Sequence, residues 1–260
     1  MSTLLKTVDL ALKILLMFIN KSTWSSRELA KELDMNHSNI YRILTTLENN
    51  KFLLKDDETK KYSLSISAWE LGMAMNDQIK LSKLVRPKMK NLMQTTGESI
   101  FLTGLDSLEG ITLDCVEPEN KVKFSVTIGS RAPLYVGASY LVILAYMEEE
   151  KIDKVLRGEL KPFTKNTKTD PKSINEMLVQ IRETGWAVSE GEYTPDVIAI
   201  AFPIFDFENK IIGSLTLSGP TYRMQEEKIR QHLIELENTT KEITDDINKY
   251  SLTLKRYFNS

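Results

Sequence analysis

The chain has very few residues of the kinds that form covalent cross-links or metal sites: one cysteine, Cys115, and two histidines, His37 and His232, among 260 residues. A single cysteine cannot form an internal disulfide, and so few Cys and His side chains exclude the usual zinc or iron sites. No apolar run approaches the roughly 20 residues needed to cross a membrane, and the N-terminal residues lack the basic-then-apolar layout of a secretory signal. We therefore expect a cytoplasmic protein with no metal, no cofactor and no membrane partner.

Sequence motifs for catalysis are also missing. The chain contains no HExxH, GxSxG, P-loop or GxGxxG motif. Cys115 lies in an apolar segment that suits a small buried side chain better than a nucleophile, and Glu190 and Glu192 flank Gly191 in a pattern typical of an exposed turn. We therefore do not expect an enzyme.

An excess of positive charge is missing too. The formal net charge is −2, and residues 1–65 contain 10 Lys/Arg against 8 Asp/Glu. Any affinity for DNA must therefore come from the local placement of charge. Hydrophobic residues make up 42% and charged residues 27% of the chain, as expected for a globular protein.

The N-terminal residues show the apolar period of helices. This spacing predicts a helix over residues 8–19, and Ser25 and Glu28 form a capping box that begins a second helix. A third helix, over about residues 37–48, buries a face with i, i+3, i+4, i+7 spacing formed by Ile40, Ile43, Leu44 and Leu47. The period then changes to two, which predicts strands over residues 52–55 and 61–64. Three helices followed by a hairpin indicate a winged helix-turn-helix.

The third helix carries the residues expected to read DNA, because the second helix of a helix-turn-helix lies in the major groove. Asn39 can pair with adenine, and Arg42 with guanine or phosphate. All outward positions carry hydrogen-bonding side chains and none is acidic: His37, Ser38, Asn39, Tyr41, Arg42 and Thr45. Lys60 and Lys61 of the hairpin, with Ser25 and Arg27 of the preceding helix, complete the predicted DNA-binding set. A solvated polar face on a protein-contact module is the alternative interpretation.

The rest of the chain mixes helices and strands. Residues 66–77 are predicted to form a linker helix. The helix is also predicted to be a dimer contact, because it has more apolar side chains than one helical face can bury within the chain: Trp69, Leu71, Met73 and Met75. Strands are predicted over residues 99–105, 111–116, 121–128, 197–205 and 210–217, and helices over 138–150, 173–184 and 224–250. His232 is placed on the polar side of the last helix. The interleaving indicates an α+β fold, with predicted domains 1–65 and 78–260 on either side of the linker.

Several dispersed segments resemble one family in the same order. They are residues 25–30 (SSRELA), 38–48 (SNIYRILTTLE), 62–64 (YSL), 96–98 (TGE), 129–134 (GSRAPL), 143–145 (ILA), 181–187 (IRETGWA), 200–206 (IAFPIFD) and 217–223 (LSGPTYR). The chain is thereby similar to the IclR-type bacterial transcriptional regulators over nearly its whole length. The resemblance implies a dimer or dimer of dimers on a palindromic double-stranded DNA operator, with repression the commoner outcome. It also implies a GAF-like C-terminal domain that binds a small-molecule effector.

The resemblance places the effector pocket at nine positions: Ala138, Ser139, Tyr140, Ser189, Glu190, Val197, Ala199, Thr216 and Ser218. Two positions depart from the family pattern, since Tyr140-Leu141 stands where a Gly-Lys pair is usual and Ala199 where Cys or Ser is common. Both departures make the site bulkier or less polar. They favour an effector larger or more apolar than a keto acid, or a vestigial pocket.

Overall fold

The structure, a computed structural model, describes residues 4–78, 80–119 and 124–249, and the side chains of these residues except those of 73–82. The chain divides into two compact units, residues 1–80 and 81–260.

The first unit is the predicted winged helix-turn-helix. Its helices are α1 Lys6–Asn20, α2 Ser26–Glu32, α3 His37–Asn49 and α4 Ile66–Gln78. Its strands are β1 Trp24–Ser25, β2 Leu53–Lys55 and β3 Lys61–Leu64, which form an antiparallel sheet in the order β1-β3-β2. Strand β1 is not predicted from the sequence, because two residues are too few to show an alternating pattern.

The core of the first unit forms where the helical spacing predicted it. Ile40, Ile43, Leu44 and Leu47 of α3 are buried against Ile14 and Phe18 of α1, Leu53 of β2 and Tyr62 of β3. In α2 the fully buried side chain is Leu29, while Ala30 and Leu33 are only partly buried. Each buried aliphatic side chain contributes about 1.5–3 kcal/mol, so this cluster holds α3 with its other face outward.

The second unit is an α+β fold, as predicted. Its helices are α5 Lys80–Thr96, α6 Ala138–Ala145, α7 Glu149–Leu156, α8 Pro171–Thr184 and α9 Glu226–Lys249. Its strands are β4 Ser99–Asp106, β5 Glu109–Val116, β6 Arg131–Pro133, β7 Ala187–Glu190, β8 Val197–Phe205 and β9 Ile211–Pro220. They pair antiparallel in the order β6-β5-β4-β9-β8-β7.

The two faces of this sheet carry different residues. Ala201 of β8 joins the apolar cluster of α6, α7 and α8. Because side chains alternate along a strand, Ile198 and Ile200 face the other side, where β8 also contacts α9. Helix α6 contacts β7, β8 and β9, so it lies against this side of the sheet.

Two predicted elements were wrong. Residues 124–128 are not a strand, and residues 121–123 lie outside the described part of the chain. Their alternation has another cause, because Phe124 packs edge-on against Phe101 with ring centroids 5.5 Å apart. The single helix predicted over residues 138–150 is two helices, because α6 ends at Ala145 and α7 begins at Glu149.

Two side chains predicted to be exposed are buried. His232 does not lie on the polar side of α9 but is 8% exposed, and burial lowers its pKa. Glu192 is 9% exposed and not part of an exposed turn. In both cases the local sequence pattern predicts an exposed polar side chain, but a neighbouring element covers that position.

Candidate functional site

Helix α3 is positioned by caps on both helices of the helix-turn-helix. The backbone N–H of Glu28 donates to Ser25 Oγ at 3.2 Å and Ser25 N–H donates to Glu28 Oε2 at 2.7 Å, which confirms the capping box. Asn36 begins α3 by accepting from Ser38 N–H at 2.8 Å. A contact of 2.9 Å between Ser26 Oγ and His37 Nε2 joins the two helices at their N-termini. The half-buried Ser25 hydroxyl is thus occupied within the fold.

The outward face of α3 is polar, and its first turn carries no acidic residue. The side chains of His37, Ser38, Asn39, Tyr41 and Arg42 are exposed, as is that of Arg27 on α2, whereas Thr45 is half-buried. Thr46, which the sequence analysis omitted, is exposed and donates to the Arg42 carbonyl at 2.9 Å. This face can present amide, guanidinium and hydroxyl donors to a ligand outside the molecule.

The hairpin, here called the wing, adds positive charge. Lys60 is exposed and adopts φ 58°, and its ammonium lies 3.9 Å from Asp57 in a pair that is open to solvent. Lys61 is half-buried, with its backbone paired to Ser25. Lys55 Nζ lies 5.8 Å from the ring centre of Tyr62, which anchors the wing at its base.

A groove runs between the N-terminus of α1 and α3. Asn39 and Arg42 line it together with Lys6 and Thr7 of α1, and its volume is about 320 Å³. Lys6 and Thr7 are not predicted from the sequence as site residues, since only the packing of α1 on α3 brings them beside Arg42. The groove therefore extends the polar face of α3 by one cation and one hydroxyl.

The second unit contains a cavity over the α6 face of its sheet. It lies between the sheet, the N-terminus of α6 and the segment after β7, and its volume is about 40 Å³. The lining residues are Phe101, Thr103, Thr112, Phe124, Val126, Gly137, Ala138, Ser139, Tyr140, Ser189, Glu192, Tyr193, Thr194, Val197, Ala199 and Ser218.

The structure brings most of the predicted pocket residues together. Seven of the nine line the cavity, namely Ala138, Ser139, Tyr140, Ser189, Val197, Ala199 and Ser218. Thr216 lies behind them and donates to Ser139 Oγ at 2.8 Å. Glu190 is exposed and does not line the cavity; the acidic residue that does is Glu192. The carboxylate that lines this cavity is thus two residues away from the one predicted from the sequence.

Hydrogen bonds hold the N-terminus of α6 against the sheet. Ala138 N–H donates to Ser189 Oγ at 3.0 Å, and Ser214 Oγ donates to the Ser139 carbonyl at 2.8 Å. Gly137 precedes the helix with φ 82°, a left-handed conformation that favours glycine. The entry to α6 is therefore fixed by side chains of β7 and β9.

Glu192 is held by a loop that lies far from it in the sequence. Thr164 Oγ1 donates to the Gly191 carbonyl at 2.6 Å, and Thr167 Oγ1 donates to the Glu192 carbonyl at 2.6 Å. Gly191 has φ 64°, and a Cβ there would lie 2.7 Å from Asn166 Nδ2. Burial raises the pKa of Glu192, while a hydrogen bond from the Gly137 N–H opposes this change.

Aromatic rings form much of the cavity wall. Tyr140 is 7% exposed, and burial raises its pKa to about 12. Its ring lies against Gly110, where any Cβ would overlap it. Tyr193 lies 6.1 Å from the Tyr140 ring and stacks on Phe163 at 5.2 Å. Of these rings, that of Tyr140 is at the bulky position predicted from the sequence.

The surroundings of Cys115 do not favour a role as a catalytic nucleophile. Cys115 is half-buried in β5 with Sγ 3.5 Å from Glu117 Oε1, and burial, with Glu117 nearby, raises its pKa to about 12. Among the described residues, no group of three or more His, Cys, Asp or Glu could hold a metal ion. None of the described helices is long and apolar enough to span a membrane.

Comparison with protein families gives matches to both units. Residues 7–57 match the IclR helix-turn-helix domain, and residues 73–245 match the bacterial transcriptional regulator IclR C-terminal domain. The chain is similar to the HTH-type transcriptional regulator BhcR of Paracoccus denitrificans, with 31% identity over 86% of this chain and 81% of that protein. It is 26% identical to the transcriptional repressor IclR of Escherichia coli over 84% of this chain and 80% of that protein.

Solved structures show the same fold. An IclR transcriptional regulator from Alicyclobacillus acidocaldarius superposes with a TM-score of 0.84 at 27% identity, covering 93% of this chain and 98% of that one. An IclR homologue from Microbacterium hydrocarbonoxydans, solved with 4-hydroxybenzoate, has a TM-score of 0.79 at 20% identity and covers 93% of this chain and 98% of that one.

Proposed function

Since the chain belongs to the IclR family of bacterial transcriptional regulators, we propose that it represses transcription from an operator bound by α3 and the wing. A small molecule in the cavity of the second unit changes this affinity. The observation that carries the DNA-binding part is the outward face of α3, which has exposed Asn39 and Arg42 and no acidic residue in its first turn. We place this activity in the cytoplasm, where operator DNA is accessible.

The proposed DNA contacts are of two kinds, those to base edges and those to the phosphate backbone. Asn39 and Arg42 can reach base edges, since an amide pairs with adenine and a guanidinium with guanine. The remaining proposed contacts bind phosphates and so orient the protein on the duplex. They are Ser25, Arg27, His37, Ser38, Tyr41, Thr45, Lys60 and Lys61, and Lys6 of the groove is added to them. Ser25 contributes chiefly by capping α2, because its hydroxyl is already engaged there.

The operator is proposed to be palindromic and the protein a dimer or a dimer of dimers. Two half-sites lie about 34–36 Å apart on one face of DNA, so that two copies of α3 must be held at that spacing. Trp69 and Leu71 of α4 are 62% and 60% exposed, which supports α4 as a dimer contact; the side chains of Met73 and Met75 lie outside those described. Leu12 and Leu16 of α1 are also exposed and apolar.

The effector is proposed to bind in the cavity against the lining residues predicted from the sequence, with Glu192 in place of Glu190. A cavity that combines hydroxyl groups, aromatic rings and one carboxylate is typical of a ligand site, because the polar groups fix orientation and the rings provide contact area. These polar groups support a functional pocket over a vestigial one.

A gel-shift titration with fragments of the chain's own promoter tests the proposal. We expect saturable binding of one fragment in preference to equal-length random DNA, and a change in that affinity when a cavity ligand is added. Sedimentation should show dimers or tetramers at micromolar concentration. Absence of fragment selectivity at low salt, with and without metabolites, would contradict the regulator assignment.

A further inference from the structure

The N-terminus of α6, which would be the natural site for an anionic ligand, is already occupied by the protein itself. Backbone N–H groups at a helix N-terminus attract carboxylates and phosphates. Here the Ala138 N–H donates to Ser189 Oγ at 3.0 Å, and Glu192 lines the cavity together with Gly137, whose N–H favours the charged carboxylate and lowers its pKa. An acidic ligand would have to displace these side chains and then lie beside the negative charge of Glu192.

The charge of the cavity is also unfavourable for an acid. Glu192 is the charged side chain among the described lining residues, which include no Lys, Arg or His. Lys168 acts on Glu192 electrostatically but is exposed to solvent, which screens much of its charge. Among the residues that the structure describes, no buried cation lines the cavity beside this carboxylate, which is 9% exposed. A buried carboxylate of this kind is energetically unfavourable, and a ligand cation would relieve that cost.

The walls of the cavity suit a cation with an aromatic body. Phe101, Phe124, Tyr140 and Tyr193 all line it. The faces of aromatic rings attract ammonium groups, and this attraction is stronger where water is excluded. A cavity lined by one carboxylate and four aromatic rings is therefore complementary to an amine and repels an acid of the same shape.

From these observations, and resting on the proposed role of the cavity as the effector site, we infer that the effector is an organic cation: a small amine whose nitrogen pairs with Glu192 and whose apolar body lies among the aromatic rings. The room available sets its size. The cavity volume of about 40 Å³ is below the roughly 150 Å³ of a cavity that holds benzene. A ligand with one six-membered ring therefore requires Tyr140 or Tyr193 to move.

Three probes of one shape and different charge test the inference on the full-length protein. They are tyramine, tyrosol and 4-hydroxyphenylacetate, which carry an ammonium, a hydroxyl and a carboxylate on the same phenol scaffold. We expect calorimetry near neutral pH to show tyramine binding about tenfold or more tightly than either of the others. Equal or tighter binding of the acid would overturn the inference but leave the cavity as an effector site.

Variants separate the charge of Glu192 from its shape. Glu192→Gln should weaken tyramine binding about tenfold or more and leave tyrosol binding within about twofold. Glu192→Asp retains the charge and should keep the order of the three probes, which guards against a folding defect in the first variant. Glu190→Gln, at an exposed position two residues away, should change none of the affinities.

Ligand binding and promoter binding are measured separately, so that a wrong ligand class and a wrong regulator assignment give different results. If no probe binds the wild-type protein while the promoter fragment still binds, then the cavity does not take single-ring amines and the inference is overturned. If Glu192→Gln binds tyramine as tightly as the wild type, Glu192 does not select the charge of the ligand. Loss of promoter binding is measured separately by gel shift and bears only on the proposed function.

Discussion

Ser189 and Ala138 are 51 residues apart in the sequence and are joined by a hydrogen bond of 3.0 Å from the Ala138 N–H to the Ser189 hydroxyl. The bond links β7 to the first turn of α6, inside the unit that we propose to bind the effector. It satisfies a buried donor that a helix leaves without an intrahelical partner. The geometry of the cavity therefore depends on a serine that belongs to no catalytic or metal-binding motif.

Replacing this serine should destabilise the second unit. Ser189→Ala leaves the Ala138 N–H without an acceptor, which costs about 1–3 kcal/mol when the donor is buried. For a unit of this size each kcal/mol corresponds to roughly 2–4 °C in melting temperature. Differential scanning calorimetry measures the change, with Glu190→Ala on the exposed side of β7 as the control. Equal melting temperatures for the two variants would show that this bond contributes little.

Gly110 and Tyr140 should behave as a coupled pair. Gly110→Ala places a methyl group where the Tyr140 ring lies, and overpacking of this kind typically costs about 1–3 kcal/mol. Tyr140→Leu removes part of the ring, so the double variant should be more stable than the sum of the two single effects predicts. A double-mutant cycle from urea unfolding gives this coupling, and strict additivity would contradict the contact.

Arg42→Ala should lose operator affinity without loss of the fold. Removing a two-pronged base contact costs about 1–3 kcal/mol for each half-site, or roughly five- to 150-fold in affinity. The helix itself should persist, because Arg42 is exposed and the buried face of α3 is unchanged. Gel-shift titration with circular dichroism measures both properties. Arg157→Ala, which removes the same charge from an exposed site in the second unit, is the matched control, and equal affinities would reject the assignment.

The wing should contact phosphate and not bases. Lys60 has φ 58°, a conformation that asparagine tolerates better than alanine, so Lys60→Asn removes the charge with little strain. We expect weaker binding to operator and random DNA alike, and a salt dependence lower by about one unit for each lost phosphate contact. Titrations at several salt concentrations measure the slope, and an unchanged slope would argue against contact by the wing.

Glu28 should make the first unit sensitive to acid. A hydrogen bond from Lys21, followed by those from the Ser25 backbone and hydroxyl, lowers the pKa of Glu28 from 4.5 to about 2. A carboxyl whose pKa is lower in the folded state adds stability that is present above pH 4.5 and disappears as the pH falls towards 2. Glu28→Gln should remove this contribution and flatten the dependence of melting temperature on pH in that window. If the variant and the wild type lose stability in parallel, the capping carboxylate is not responsible.

Local sequence alone determined most of the N-terminal unit, because its signals are short-range. The capping box of Ser25 and Glu28 and the four-residue apolar face of α3 involve residues within about two helical turns of each other, and the structure confirms both. The stop of α8 at Gly185 follows from the same kind of signal, since glycine adopts the left-handed conformation there with φ 85°. The assignment of individual side chains to DNA contacts stays a prediction.

Tertiary structure decided the chemistry of the cavity. Glu192 has an exposed-turn pattern, and only the loop of Thr164 and Thr167 buries it. The alternation of Phe124 and Val126 indicates a strand, but it arises from side chains that line the cavity. His232 was misplaced for the same reason, because burial from another element is invisible in the pattern of its own helix. Local spacing encodes which face of an element is apolar, whereas contacts between residues 25 to 125 positions apart determine which polar groups become buried together.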